Sequence, residues 1–210
     1  SRIGSNRVYG LLPRSGTFES YGGWGGVSMT DHLSNSTEVI KSLLYEWQQL
    51  LRDWSFSGQL EAAAKDALQL KEESQLLKDL ITQWTAENFT ALPPIVLLPS
   101  ANINGAMGAY AISTGTIYLN AEWLAEASNA RILAVLTEEL GHHLDGALNP
   151  VDTPGDEGEL FAELLHSSGV ISDEERQLIW SDKDQGHILV NGDSLAVEQA
   201  TITRIPIAQS

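Results

Sequence analysis

The chain reads as α+β: a small mixed sheet carrying a motif helix, preceded by an N-terminal helical hairpin. Three observations predict it. Apolar residues recur at helical spacing over 37–84 and again over 133–148, short β-branched and aromatic runs begin after Pro93, and an Asn-Gly turn joins two alternating runs near the end.

Taken in chain order, residues 1–34 are rich in Gly, Ser and aromatics around Tyr21-Gly22-Gly23-Trp24-Gly25-Gly26 and read as an irregular arm or linker. The opening Ser-Arg-Ile-Gly lacks the basic-then-apolar pattern of a signal peptide and suggests a piece of a longer precursor. Residues 35–200 are read as one domain, with a helical region over 35–90, a site-bearing region over 93–200 and a tail over 201–210. Thr37 to Trp54 places Val39, Ile40, Leu43, Leu44, Trp47, Leu50 and Leu51 on one helix face. Leu60 to Trp84 continues with Leu68, Leu70, Leu76, Leu77, Leu80 and Ile81. These stripes are expected to be core, with Trp47, Trp54 and Trp84 anchoring the packing.

Ile95-Val96-Leu97-Leu98 is a buried strand. Gly108–Ile112 and Thr116–Leu119 flank Ser113-Thr114-Gly115 as a hairpin. Asn120 caps a short helix to Ala127, and Asn129 starts the motif helix. Thr153 is expected to cap a helix beginning at Pro154, with Leu160, Phe161, Leu164 and Leu165 as its buried face. Ser172-Asp173-Glu174-Glu175 caps another helix ending near Trp180. Gly186–Val190 and Ser194–Val197 around Asn191-Gly192-Asp193 form the last hairpin, with His187 a structural strand residue.

Composition narrows the chemistry. The 210 residues carry 28 acidic against 12 basic side chains, a formal net charge of −16, which repels nucleic acid and anionic membrane surfaces and favours cations as companions. With no cysteine, a disulfide framework, a thiolate metal site and a thiol nucleophile are excluded. No segment of the sequence is long and apolar enough to insert into a membrane.

The informative stretch is Thr137-Glu138-Glu139-Leu140-Gly141-His142-His143-Leu144-Asp145. On a helix, Leu133, Leu136, Leu140, Leu144 and Leu148 line one face while Glu138, His142 and Asp145 gather on the other. The pattern is one letter from H-E-x-x-H, in which two imidazoles one turn apart hold zinc and the Glu between them takes a proton from the bound water. By that comparison Glu138 and His142 are metal ligands and Glu139 the general base. A carboxylate in place of the first imidazole weakens the ion as a Lewis acid and suits harder ions such as manganese or iron. A third ligand is sought in Asp152-Thr153-Pro154-Gly155-Asp156-Glu157-Gly158-Glu159. Asp156, Glu157, Glu159 and Glu163 are candidates, and Glu157 is favoured because a downstream helix supplies the third ligand as Glu in thermolysin-like enzymes. Asp145 is either a partner orienting His142 or a hydrogen-bonding group near the helix end, and His143 either donates to an oxyanion or faces solvent.

With E-E-x-G-H-x-x-D at Glu138–Asp145 and D-x-P-G-D-E-G-x-x-F-A at Asp152–Ala162, the region from about Pro94 to Ala200 resembles zincin-like domains of large cyanobacterial secreted proteins of the hemolysin-type calcium-binding kind. The resemblance implies a metallopeptidase-like fold, a zinc or other divalent transition-metal ion, a peptide or protein substrate and a secreted or cell-surface setting. In that zincin-like reading the hairpin over 108–119 is the sheet edge above the motif helix, either open to an extended peptide as a further strand or closed with no ligand. The calcium-binding G-G-x-G-x-D repeat itself is absent. Two contrasting readings stay open. One is a non-catalytic module in which the same cluster holds a structural ion or none. The other is a di-iron carboxylate protein, in which Glu139-x-x-His142 and Glu163-x-x-His166 join carboxylates from upstream helices such as Glu46, Glu61 and Glu73.

Overall fold

A computed structural model describes the backbone of residues 18–20 and 27–201 and the side chains of residues 37–201. A three-residue strand β1 (Phe18–Ser20) precedes three helices, α1 (Val27–Ser57), α2 (Gln59–Ala67) and α3 (Gln75–Thr85). Helix α1 therefore begins inside the segment expected to be irregular. The Tyr21–Gly26 centre of that segment and residues 202–210 of the expected tail lie outside the described residues. The second apolar stripe is interrupted: Gly58 in the left-handed region (φ 83°) separates α1 from α2, α2 stops at Leu68, and Ser74 restarts the chain by accepting from the amide of Leu77 at 3.2 Å. Trp47, Trp54 and Trp84 are buried as the periodicity predicts, whereas Leu76 is exposed.

The sheet follows from Ile95 onward: β2 (Ile95–Leu98), β3 (Gly108–Ala111), β4 (Thr116–Asn120), β5 (Gln185–Val190) and β6 (Asp193–Ala200). With β1 the order is β1-β2-β4-β3-β6-β5, parallel at β1/β2 and β2/β4 and antiparallel elsewhere. The β3/β4 hairpin thus lies inside the sheet, with β6 on one side and β2 on the other, so the expected edge for a peptide is already paired. At the β5 edge, the side-chain amides of Asn102 and Asn104 donate to the carbonyls of Leu189 and His187 at 3.2 and 2.6 Å. Asn191 and Gly192, both at positive φ (53° and 83°), make the two-residue turn between β5 and β6.

Alternation sets the two faces of the sheet. Ile95, Leu97, Tyr110, Ile117 and Leu119 join the main core with the helices, while Val96, Leu98, Ala109, Tyr118, Ile188 and Val197 pack with Ile103 on the far side. Four more helices complete the chain: α4 (Ala121–Glu126), α5 (Asn129–Leu148), α6 (Glu157–His166) and α7 (Asp173–Trp180). Asn120 caps α4 through the amides of Glu122 and Trp123, and Ser172 forms a capping box with Glu175. Helix α5 lies between the sheet, α1 and α6. Its polar face is not a solvated surface: Thr137, Glu139, His142 and Asp145 are buried along with the leucines.

Candidate metal centre

Three glycines bring the elements around His142 together. A Cβ on Gly141 would lie 2.8 Å from the Cα of Gly158, and a Cβ on Gly158 would lie 2.6 Å from the Glu138 carbonyl and 2.7 Å from Cε1 and Nε2 of His142. Bare backbone at both positions lets α5 and α6 touch. A Cβ on Gly108 would meet Val135 at 2.8 Å and Oε1 of Glu139 at 3.4 Å, so α5 also lies close on β3. The loop between α5 and α6 is fixed by Asp145, whose carboxylate accepts from the amide and hydroxyl of Thr153 at 3.0 and 2.6 Å and from Asn149 at 2.6 Å. Thr153 therefore serves Asp145 and is not the helix cap. Asp156 is the cap, accepting from the amide of Glu159 at 2.9 Å, and α6 starts at Glu157. Gly155, at φ 88°, lets this loop pass the end of α7, where any Cβ would fall 2.7 Å from the Trp180 carbonyl.

His142 sits at the centre, 1% exposed. Its Nδ1 lies 2.9 Å from Oε1 of Glu157 and 3.2 Å from Oε2 of Glu198, and its Nε2 lies 3.6 Å from Oδ1 of Asp156 and 3.6 Å from Oδ2 of Asp184. Nε2 has no hydrogen-bond partner, nor do both oxygens of Glu139, Oε2 of Glu157 and Oδ2 of Asp184, all of them buried. Buried acceptors and charges left in this state are costly, which is the signature of a missing cation or of protonation. The spacing fits an ion: with metal–ligand bonds of about 2.1 Å, donors 3.6 Å apart subtend roughly 120° at the metal. Of the four groups of His, Asp and Glu with this capacity among the described residues, two overlap at His142: His142, Glu157, Asp184 and Glu198, and Glu138, His142 and Asp156. The protein therefore carries a buried cluster of His, Asp and Glu able to chelate a divalent ion.

The electrostatics agree with that reading. Burial drives the carboxyls of Glu138 and Glu139 well above the ordinary range, reinforced at Glu138 by Asp156. Burial likewise pushes Asp156 up to about 8, against the pull of His142. Burial works to lower His142, but the bonds to Glu157 and Glu198 outweigh it and hold the imidazole well above its usual value. Asp152, raised by burial and by Glu198, reaches about 7. Beside the cluster a cleft opens between α5 and α6, lined by Glu138, Asp156, Asp182, Met107 and Arg131.

Of the sequence candidates, Glu138, Glu139, His142, Asp156 and Glu157 come together here. Asp145 instead holds the loop. His143 is half-buried, its Nδ1 2.8 Å from the Tyr110 hydroxyl; burial lowers the imidazole and pushes the phenol up to about 12. Glu163 is exposed, and His166 packs edge-to-face on Trp54 with Nε2 3.3 Å from the Thr137 hydroxyl. Among the described residues neither belongs to a metal-binding group, and Glu61 and Glu73 pair with lysines. The two Glu-x-x-His pairs therefore do not form one donor group among the described residues. Asp184, just before β5, and Glu198, on β6, were missed. The available signal was alternation: with the apolar Val197 turned to one face of β6, Glu198 must turn to the other, toward α5.

Comparison of the chain with protein-family models, with curated proteins and with solved structures gives no match.

Proposed function

We propose that the protein is a metal-dependent hydrolase of peptide bonds, with a divalent ion at Nε2 of His142 held together with Asp156 and Glu138 on the side where the cleft opens. The observation that carries this is the asymmetry of the imidazole: Nδ1 is engaged by carboxylates while Nε2 is buried and unpartnered. A histidine that binds a metal through one nitrogen commonly donates its other N–H to a carboxylate, which fixes ring and tautomer. In this arrangement Glu157, the third ligand favoured from the sequence and a member of one of the two donor sets, accepts from Nδ1 and orients His142. The resemblance to zincin-like secreted domains points to zinc, a peptide substrate and a secreted or surface setting. The carboxylate-rich donor set suits manganese or iron as well.

Such an ion, when bound, polarises a carbonyl and eases deprotonation of water. Glu139, one residue from Glu138 and with both oxygens buried and unpartnered, accepts the proton of the attacking water and returns it to the leaving amine. His143, steadied by Tyr110, donates to the oxygen on which charge develops. Substrate reaches the site through the cleft, since the β3/β4 hairpin offers no free edge.

A second reading is a non-catalytic module that holds a structural ion. It is favoured by depth, since Glu139, His142 and Glu157 are at most 1% exposed. Elemental mass spectrometry of protein purified without chelator, combined with a peptide-library cleavage assay, separates the two. The hydrolase predicts a stoichiometric transition metal lost in His142→Ala, and cleavage abolished in Glu139→Gln with metal retained. Metal without cleavage in the wild type leaves the structural ion, and absence of metal overturns both.

A further inference from the structure

The β5–β6 hairpin meets the rest of the protein differently on its two faces. On the far face of the sheet Ile188, Val190 and Val197 pack into an apolar cluster. On the face toward α5 and α6, Ala200 is the hairpin's contribution to the main core. The remaining contact with His142 is polar: Asp184 Oδ2 faces Nε2 at 3.6 Å and Glu198 Oε2 faces Nδ1 at 3.2 Å. Toward the sheet, β6 is paired with β3 over three register positions, Gly108 to Ala200 through Tyr110 to Glu198.

Asp184 and Glu198 approach an imidazole already flanked by Glu139, Asp156 and Glu157 from the helices. Glu198 is held on the imidazole, whereas the buried Oδ2 of Asp184 lies 3.6 Å from Nε2 with no hydrogen-bond partner. Docking without a cation therefore leaves that buried oxygen unsatisfied, which costs free energy. A divalent cation beside Nε2 removes that cost, and Oδ2 of Asp184 is the hairpin atom positioned to take it.

We propose that a divalent cation at this cluster takes Asp184 as a ligand beside His142, while Glu198 joins Glu157 in holding the other ring nitrogen, so that cation binding fastens the β5–β6 hairpin onto α5 and α6. This rests on the metal centre proposed above but not on hydrolysis. Binding and docking are then one linked equilibrium: opening of the hairpin is suppressed by the factor 1 + [cation]/Kd, about 100-fold at a free cation concentration of 100 Kd.

Hydrogen exchange by mass spectrometry on the full chain tests this, with zinc, manganese and calcium chlorides added singly to chelator-treated protein and Kd taken from titration calorimetry. With the tightest-binding cation, exchange of the amides of residues 186–199 should slow by about 100-fold at saturation, and by more than exchange in α3. Asp184→Asn should weaken that binding at least about 10-fold and remove the cation-dependent slowing. Without cation its hairpin exchange should match that of the wild type, which a misfolded variant would not show. Asp193→Asn, on the exposed turn end of the hairpin, should change neither. Saturable binding with unchanged hairpin exchange, or equal affinity in Asp184→Asn, overturns the proposal. Binding of none of the three cations overturns it together with the metal centre, whereas hairpin protection without any peptide cleavage overturns the hydrolase reading alone.

Discussion

Replacing Gly158 by alanine tests whether helix contact sets the geometry of the cluster. The added Cβ would stand 2.6 Å from the Glu138 carbonyl and 2.7 Å from two atoms of the His142 ring, where ordinary contact begins at 3.4 Å, so the deficit is 3.4 minus 2.6, or 0.8 Å. One obstacle is helix backbone and the other is a ring held by Glu157, so neither swings aside as the tip of a flexible side chain would. Overpacking of this kind costs about 1–3 kcal/mol, while alanine for glycine in a helix returns at most about 1 kcal/mol. The steric effect therefore wins. Net destabilisation of about 1–2 kcal/mol corresponds to a fall in Tm of roughly 2–8 °C for a chain of this size. A shift of α6 by most of the deficit exceeds the tolerance of about 0.5 Å within which a site keeps its geometry, so cation affinity measured by calorimetry should fall at least about 10-fold. Gly141→Ala, which strikes the same contact from α5 at 2.8 Å, should reproduce both effects. Unchanged or higher Tm with unchanged affinity in Gly158→Ala would refute the argument that the two glycines create the site.

Two further outcomes follow from the electrostatics and the loop. In chelator-treated protein, Glu138, Glu139 and Asp156 bind protons more tightly folded than unfolded, Asp156 up to about 8 against an ordinary value of 3.8, so the folded state holds more protons between these values. Stability contributed by such groups is complete below the unfolded pKa and is lost as pH rises through the folded one. His142, also raised, acts in the same direction. The Tm should therefore fall from pH 5 to pH 8, and saturating cation should reverse the trend; a flat or rising profile without cation counts against a buried acid cluster. Asp145→Ala removes an acceptor from the Thr153 amide and hydroxyl and from Asn149, and should lower urea-unfolding stability by about 2–4 kcal/mol, the range for hydrogen bonds to a buried charge. A loss under about 0.5 kcal/mol would show that the loop does not depend on it.

The local grammar of the chain was legible where one short stretch decides the outcome. Asn191-Gly192 declared its turn, Asn120 and Ser172 their caps, and the leucines of α5 their buried face. The proximity of His142 to Asp156 and Glu157 was legible because the two acidic motifs flank one short loop. What the sequence hid depends on tertiary pairing. The polar face of α5 looks solvated until α6 is known to cover it, and that approach turns on Gly141 and Gly158, which carry no polar or apolar signal. Asp184 and Glu198 carry no spacing relation to His142, and only the register of β6 against β3 places Glu198 beside Tyr110 and against Nδ1 of the ring. The position of the β3/β4 hairpin was misjudged for a similar reason: a hairpin is a local object, but whether it forms an edge is decided by β2 and β6.

The strand order also places the cluster in time. His142, Asp156 and Glu157 leave the ribosome well before Asp184 and Glu198, and a nascent chain advances at roughly 5–20 residues per second. During that interval helices α5 and α6 can pair while the side on which Asp184 and Glu198 will stand is still open to water, where charge is screened and protons exchange freely. The cluster is completed only when β6 reaches β3, so it is among the last features of the molecule to be made, and a chain halted after α7 would carry the residues of α5 and α6 without Asp184 and Glu198.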